Sequence, residues 1–407
     1  FINTSHSTMF RPTNRIVDIP ENTYLKVTYT KSGDNYVYIG ELDTAGDYEL
    51  TTQDGTVTYY NTLQEAFNAV PTDATLSKIK LLTDCELSEN IGIKNGKKVQ
   101  LDLNGHKVKY YSTTKKAWAF DNGSGQVFEI IDTSGDGIID VRAEGYEAMG
   151  IYNYSTGCRV RIISGKIQVT SVGGDAYGIY NNDGRTNGVD DPTIKVEGGS
   201  ISAKSEVGTN TTVSGKAYGV YNRVYWSRMA ISGKDTIITA ASALNESYGV
   251  YIADSMRDKV LIIGEKDGIA STSSPYIAGE TAGIYANKPG GIEIYDGAIT
   301  GKAGGAIKTS TTGNATEIVS DTEDNTFVYT KSNNDGTETV MLLKNIQSLN
   351  VKPSAILSNN LNTDYTLEIS YMPADAAEVR LDVESSDVNI AVINEISEGV
   401  YSVRTKG

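Results

Sequence analysis

Ala176-Tyr177-Gly178-Ile179-Tyr180-Asn181 returns almost unchanged as Ala217-Tyr218-Gly219-Val220-Tyr221-Asn222, and again as Ser247-Tyr248-Gly249-Val250-Tyr251. Ala148-Met149-Gly150-Ile151-Tyr152-Asn153 and Thr281-Ala282-Gly283-Ile284-Tyr285 are looser copies, and Trp118-Ala119-Phe120-Asp121-Asn122 is a degenerate earlier one. With the glycines as markers, the steps are 28 residues from Gly150 to Gly178, 41 to Gly219, 30 to Gly249 and 34 to Gly283. Self-similarity at this period marks a solenoid, and unequal steps mean turns that carry loops of different length.

Each copy is followed by a short apolar strand, a glycine and a second apolar strand. Examples are Cys158-Arg159-Val160-Arg161-Ile162 with Gly165-Lys166-Ile167-Gln168-Val169, and Ile292-Glu293-Ile294 with Gly297-Ala298-Ile299. Apolar and polar residues alternate, so these are strands with one buried face. No useful helical period lies between them. Three short strands per turn of about 30 residues predict an all-β chain built as a parallel β-helix.

Composition agrees with this and excludes other classes. The chain has 407 residues with 41 glycines, 26 tyrosines and only 8 prolines, which suits strands joined by many turns. A net charge of −15 with no basic stripe argues against a nucleic-acid partner. No apolar run is long enough for a membrane span. The two cysteines, Cys85 and Cys158, fall several turns apart, beyond disulfide reach, and are expected as buried thiols. The chain starts at Phe1 without a signal-peptide core, as expected of a processed or excised piece.

Residues 1–56 read as a strand-rich cap region, with a hairpin signal at Gln53-Asp54-Gly55-Thr56. One helix is predicted just after it. Thr62 and Glu65 form a capping box, Leu63, Ala66, Phe67 and Val70 make one apolar stripe, and Pro71 stops it. A coil of strands must cover its open end, and this helix is the predicted lid.

Thr62-Leu63-Gln64-Glu65-Ala66-Phe67, Ile79-Lys80-Leu81-Leu82-Thr83-Asp84 and Leu101-Asp102-Leu103-Asn104-Gly105-His106, in that order, resemble right-handed, pectate-lyase-like β-helix domains. Such domains occur in exported surface proteins of Gram-positive bacteria. The resemblance spans residues 57–345, with its distinctive motifs in the first fifty. From residue 346 to 407 the character changes. Met372-Pro373-Ala374-Asp375-Ala376, Val383-Glu384-Ser385-Ser386-Asp387, Ile390-Ala391-Val392-Ile393 and Gly399-Val400-Tyr401 resemble the bacterial Ig-like group 2 domain, which serves as a spacer or stalk. This chain stops at Gly407, before that family's final strand, so the resemblance implies a sandwich lacking it.

Strand alternation places Tyr177, Ile179 and Asn181, with their equivalents from Trp118 onward, toward the core. Asn122, Asn153, Asn181 and Asn222 would then stack as an internal amide ladder. The opposite set, Ala176, Gly178 and Tyr180, would face out. That puts Tyr152, Tyr180, Tyr221, Tyr251 and Tyr285 in an exposed column beside a shallow Gly/Ala groove, at ~4.8 Å per turn. Such a column is either a platform for sugar rings or an extended protein, or a shield over neighbouring glycines. Arg223-Val224-Tyr225-Trp226-Ser227-Arg228 places Arg223, Tyr225 and Trp226, residue types that dominate interface hot spots, in a turn that could equally pack over a strand end. No cofactor is called for. The 41-residue step carries two insertions, Asn182–Asp191 and Lys204–Lys216. In the first, Asp183, Asp190 and Asp191 have the oxygen chemistry for calcium, although a solvated acidic loop explains them as well.

Enzyme motifs are absent as constellations. Asp132-Thr133-Ser134-Gly135-Asp136-Gly137 starts like a calcium loop but has Ala143 where the bidentate Glu belongs, so a β-turn is expected. The motif set of pectin-cleaving hydrolases is scattered or broken: Asn362-Thr363-Asp364 lies in the last part, and Gly105-His106 is followed by Lys107. The only histidines are His6 and His106, which makes a Ser-His-Asp site improbable. The expectation is a non-catalytic, extracellular cell-surface adhesin or ligand-binding protein whose partner is a host or environmental glycan, or an extracellular protein. The alternatives are a polysaccharide lyase or glycoside hydrolase on the same coil, and a structural fibre or tailspike.

Overall fold

The computed structural model describes residues 23–32, 35–44, 46–73, 75–124, 127–182, 192–208, 213–224, 227–253, 261–264, 274–287, 292–302, 305–309, 318–319, 326–344, 348–355, 360–372, 383–397 and 400–406. The repeats form a parallel β-helix, consistent with the right-handed coil expected, and each turn gives one strand to each of three sheets. The first face holds Ile91–Ile93, Ala117–Asn122, Ala148–Asn153, Ala176–Asn181, Ala217–Asn222, Ser247–Ile252, Ala282–Ala286 and Ile307–Thr309, all parallel. The second face runs from Leu76–Leu81 and Lys98–Asp102 through Arg159–Ile162 and Ile194–Val196 to Ile292–Ile294 and Ile318–Val319. The third runs from Cys85–Leu87 and Lys107–Ser112 through Lys166–Val172 and Ser200–Glu206 to Ala298–Lys302.

One core fills the space between the three sheets. In the turn that starts at Ala176, the residues Ala176, Ile179, Ile194, Val196, Ile201 and Ala203 are each no more than 1 % exposed. The long step between Gly178 and Gly219 comes from extra residues after Asn181 and after Glu206, because Lys204–Glu206 still belong to the third-face strand. At the corner between the second and third faces the first described turn has Leu82-Thr83-Asp84, and seven successive turns after it have a left-handed glycine. Gly105, Gly135, Gly165, Gly199, Gly233, Gly264 and Gly297 have φ between +74° and +97°. Gly199 packs so closely on the Gly165 carbonyl that no Cβ would fit. The turn expected at Asp132 is present, its carboxylate accepting from Gly105 N at 2.7 Å and Gly137 N at 2.6 Å.

The predicted lid is there. Thr62 and Glu65 close a capping box on the helix Leu63–Ala69, whose Leu63, Ala66 and Phe67 are buried. The Phe67 ring sits 6.0 Å from Phe120 and 6.2 Å from Phe128, over the open end of the core. Lys97 Nζ donates to the Phe67 and Asn68 carbonyls at 3.0 and 2.8 Å, satisfying helix-end acceptors that have no partner in the helix. The hairpin Tyr48–Thr51/Val57–Tyr60 adds antiparallel to Leu76–Leu81, and Thr326–Ser332/Thr337–Lys344 adds antiparallel to Ala298–Lys302. The second sheet thus starts, and the third ends, on a reversed strand instead of an open parallel edge. Thr23–Ser32 and Asn35–Thr44 form a two-stranded antiparallel sheet. Ser348–Lys352, Asp364–Met372, Val400–Thr405 and Ala391–Ser397 form, in that order, a four-stranded antiparallel sheet. Cys85 and Cys158 are buried thiols that form no disulfide, and burial pushes the Cys158 thiol up to about 11. Among the described residues no helix is long and apolar enough to cross a membrane.

Candidate ligand-binding face

The amide ladder forms as expected. Asn122 donates to Asn153 at 2.9 Å, Asn153 to Asn181 at 2.8 Å and Asn181 to Asn222 at 2.7 Å, and all four side chains are sealed from water. The two ends are left over: Asn122 Oδ1 and Asn222 Nδ2 are buried without partners. The ladder stops because Ile93 precedes Asn122, and Ile252 follows Asn222, at the same register.

The face assignment of the Tyr-Gly strand needs correction. Ala176 and Ile179 both lie in the core, while Tyr177 belongs to a separate cluster outside the sheet. The glycine also faces inward: a Cβ on Gly150 would lie 2.6 Å from Ile167 Cγ2, and one on Gly249 2.7 Å from Ile277 Cγ2. The order is therefore in, out, in, in, out, in. A backbone without a side chain at the third position bends toward the third face, and two consecutive residues point inside. Trp118, Met149, Tyr177, Tyr218 and Tyr248 are outside, and the shallow Gly/Ala groove does not exist.

Two aromatic columns take its place. Tyr152, Tyr180, Tyr221, Tyr251 and Tyr285 form the expected one, half-buried and not fully exposed. Their rings stack in register: Tyr180–Tyr221 at 4.9 Å and 9°, Tyr221–Tyr251 at 5.1 Å and 3°, Tyr251–Tyr285 at 4.7 Å and 10°. Tyr177, Tyr218 and Tyr248 form the second column and meet the first edge-on, Tyr177–Tyr180 at 4.9 Å and 88°. Edge-to-face and offset contacts are the favoured aromatic geometries, so the second column holds the first rigid. Burial raises the pKa of Tyr177, Tyr218 and Tyr248, and also of Tyr152, Tyr221 and Tyr251, so these rings remain neutral phenols at physiological pH.

Polar groups border the rings on both sides. Tyr177 Oη donates to Asp175 at 3.0 Å. On the other side Arg223 Nη1 donates to Asn182 Oδ1 at 2.9 Å, and Asn182 Nδ2 to Tyr152 Oη at 3.2 Å. Of the proposed arginine–aromatic turn, Tyr225 and Trp226 lie outside the described residues, as do Asp183, Asp190 and Asp191. Among the described residues no group of three or more His, Cys, Asp and Glu is placed to hold a metal. At the corner between the third and first faces is a cleft of about 480 Å³, whose lining includes Lys116, Tyr146, Glu147, Asp175, Lys216 and Asn245. Sequence reading missed it although Lys116, Glu147, Asp175 and Lys216 share one repeat position, just before the first-face strand, because the residue type there changes from turn to turn. Its charges are engaged: Lys116–Glu147 at 2.8 Å, Lys216–Glu246 at 2.6 Å, and Lys216 N to Asp175 Oδ1 at 2.7 Å.

Asp121 was also missed. It stands in register with Tyr152, so it occupies the tyrosine position one turn earlier. Burial raises its carboxyl above the usual 3.8, against an opposing pull from Lys94. An acid raised in the fold gives its full stability only below the unfolded value, and loses it as pH rises through the folded value. Asp121→Asn should thus raise the melting temperature by about 2 °C at pH 7 and leave it little changed at pH 3, by scanning calorimetry. No family model matches the sequence, and neither the curated proteins nor the solved structures contain a match.

Proposed function

We propose that the chain is a non-catalytic, exported surface protein that binds an extended glycan along the first face. The observation that carries this reading is the stack of near-parallel phenols, Tyr180, Tyr221, Tyr251 and Tyr285, one per turn and held from behind by a second aromatic column. A sugar ring has an apolar flat side and a polar edge. Because its ring faces stack on one another, the half-buried column offers ring edges and phenol hydroxyls along its length, and Asp175, Asn182 and Arg223 at its borders add polar partners. The resemblance of residues 57–345 to pectate-lyase-like domains of Gram-positive surface proteins, and of residues 346–407 to an Ig-like spacer, supports an extracellular, wall-displayed location.

Affinity electrophoresis of the intact chain against soluble plant and host polysaccharides, with an assay for new chain ends, tests this. Retention without new ends is expected, with about tenfold weaker retention for Tyr221→Ala. Release of ends would overturn it. Glu147 and Asp175, on adjacent turns in the corner cleft, favour a glycan-cleaving enzyme as the second reading, and chain-end release lost in Glu147→Gln is the result that would establish it.

A further inference from the structure

The tyrosine column has a polar head. Tyr180 follows Tyr152 in register, Asp121 precedes it, and the place before Asp121 is taken by Gly92. Asp121 Oδ1 is buried and accepts no hydrogen bond. Trp118 Nε1, on the same strand, is buried and donates none. Buried polar groups without partners are rare in folded proteins, because each forfeits its hydration. One unmet acceptor and one unmet donor lie three residues apart on the outer side of the Ala117–Asn122 strand.

Their surroundings are aromatic. The Trp118 ring lies 6.2 Å from Tyr152, on which Tyr154 stacks at 4.9 Å. Tyr154 runs across Gly123, where there is no room for a Cβ, and the Lys94 stem runs across Gly92. Lys94, Tyr152, Tyr154 and Cys158 are titratable groups that feel the carboxylate. The Lys94 charge acts on Asp121, but its ammonium makes no hydrogen bond to the buried oxygen. Both residues are only partly buried.

We infer that Asp121 and Trp118 are the terminal anchor of the face: a hydroxyl of an uncharged sugar donates to the Asp121 carboxylate, an oxygen of the same sugar accepts from Trp118 Nε1, and the ring lies against Tyr152. A hydroxyl both donates and accepts, which meets the two unpaired atoms together. An ammonium could answer only the carboxylate. The anchor gives the platform a direction, because the opposite end of the column, at Tyr285, is followed by Lys308. This inference rests on the glycan reading above and deepens it.

Calorimetric titration of the full chain with four hexasaccharides tests it: β-1,4-linked glucose, xylose, N-acetylglucosamine and glucosamine. At least one neutral hexamer should bind. Asp121→Asn should weaken it roughly tenfold to a hundredfold, the loss expected of a charged acceptor. Trp118→Phe, which keeps a ring and removes the donor, should weaken it several-fold. Each variant should keep the parent's circular dichroism. If a neutral hexamer binds both variants as tightly as the parent, while Tyr221→Ala weakens it, the face binds glycan and the anchor is wrong. Preference for the glucosamine hexamer, with Trp118→Phe silent, would make Asp121 a cation site and overturn the assignment. If the parent binds none of the four, the glycan reading falls and the anchor falls with it.

Discussion

Replacing Asn181 by Leu should cost about 2–5 kcal/mol in equilibrium urea unfolding, whereas Asn222→Ile should fall within about 1 kcal/mol of the parent. The two residues occupy the same register position on successive turns and are equally buried. They differ in their place in the ladder. Asn181 accepts from Asn153 at 2.8 Å and donates to Asn222 at 2.7 Å and to Ser227 Oγ at 3.0 Å. Leucine there strips the buried Asn222 Oδ1 of its Asn181 donor and leaves Asn153 Nδ2 with only the Cys158 carbonyl at 3.4 Å, and stranded buried groups cost more than the bonds themselves are worth. Asn222 terminates the run and its Nδ2 already has no partner. Isoleucine removes that orphan and repeats the residue found one turn on, Ile252, while Asn181 Nδ2 keeps Ser227. Equal costs for the two substitutions would show that ladder position is immaterial.

Phe67→Ala should destabilise by about 3–5 kcal/mol, the range for deleting a large buried aromatic. Phe67 is 1 % exposed and touches Phe120 and Phe128, themselves fully buried on the first and second faces. Its loss leaves a void at the end of the coil, and no further turn closes over it. The variant should therefore bind a hydrophobic dye and self-associate near its melting temperature, in a way that an equally destabilised variant in mid-coil does not. Phe67→Leu should restore most of the stability. Gln64→Ala, on the outer side of the same helix, should leave it unchanged within about 0.5 kcal/mol.

The coil could be read from the chain because its signals are local and repeated. Strand alternation gave the three sheets, the repeated Asn gave the ladder, and Thr62 with Glu65 gave the helix start. The direction in which Tyr177 points was not legible. Alternation assumes an unbroken pleat, and Gly178 breaks it where the strand packs against Ile201, a residue over twenty positions away that only folding brings near. Asp121 shows a different limit. Its alignment with the tyrosines was visible in Trp118-Ala119-Phe120-Asp121-Asn122, but an acid at that position carries no meaning until its lack of a partner is known. The corner cleft takes Lys116, Glu147, Asp175 and Lys216 from one repeat position, just before the first-face strand on four successive turns. That position was legible, but the charge there changes sign from turn to turn, and only folding shows that a cleft opens beside it.

The register of the first face also bears on how such a chain changes over generations. Ala176 to Asn181 pair position for position with Ala217 to Asn222, and the two segments differ only at Ile179 and Val220. Deletion or duplication between the two near-identical peptide segments would remove or add one whole turn, 41 residues from Gly178 to Gly219, and leave the flanking strands in step. Length in this protein is therefore quantised. Each event lengthens or shortens the tyrosine track by one ring and ~4.8 Å, while the helical lid at one end and the antiparallel hairpin at the other stay as they are. Reach along a ligand can thus be inherited in whole steps, without a new fold having to be found.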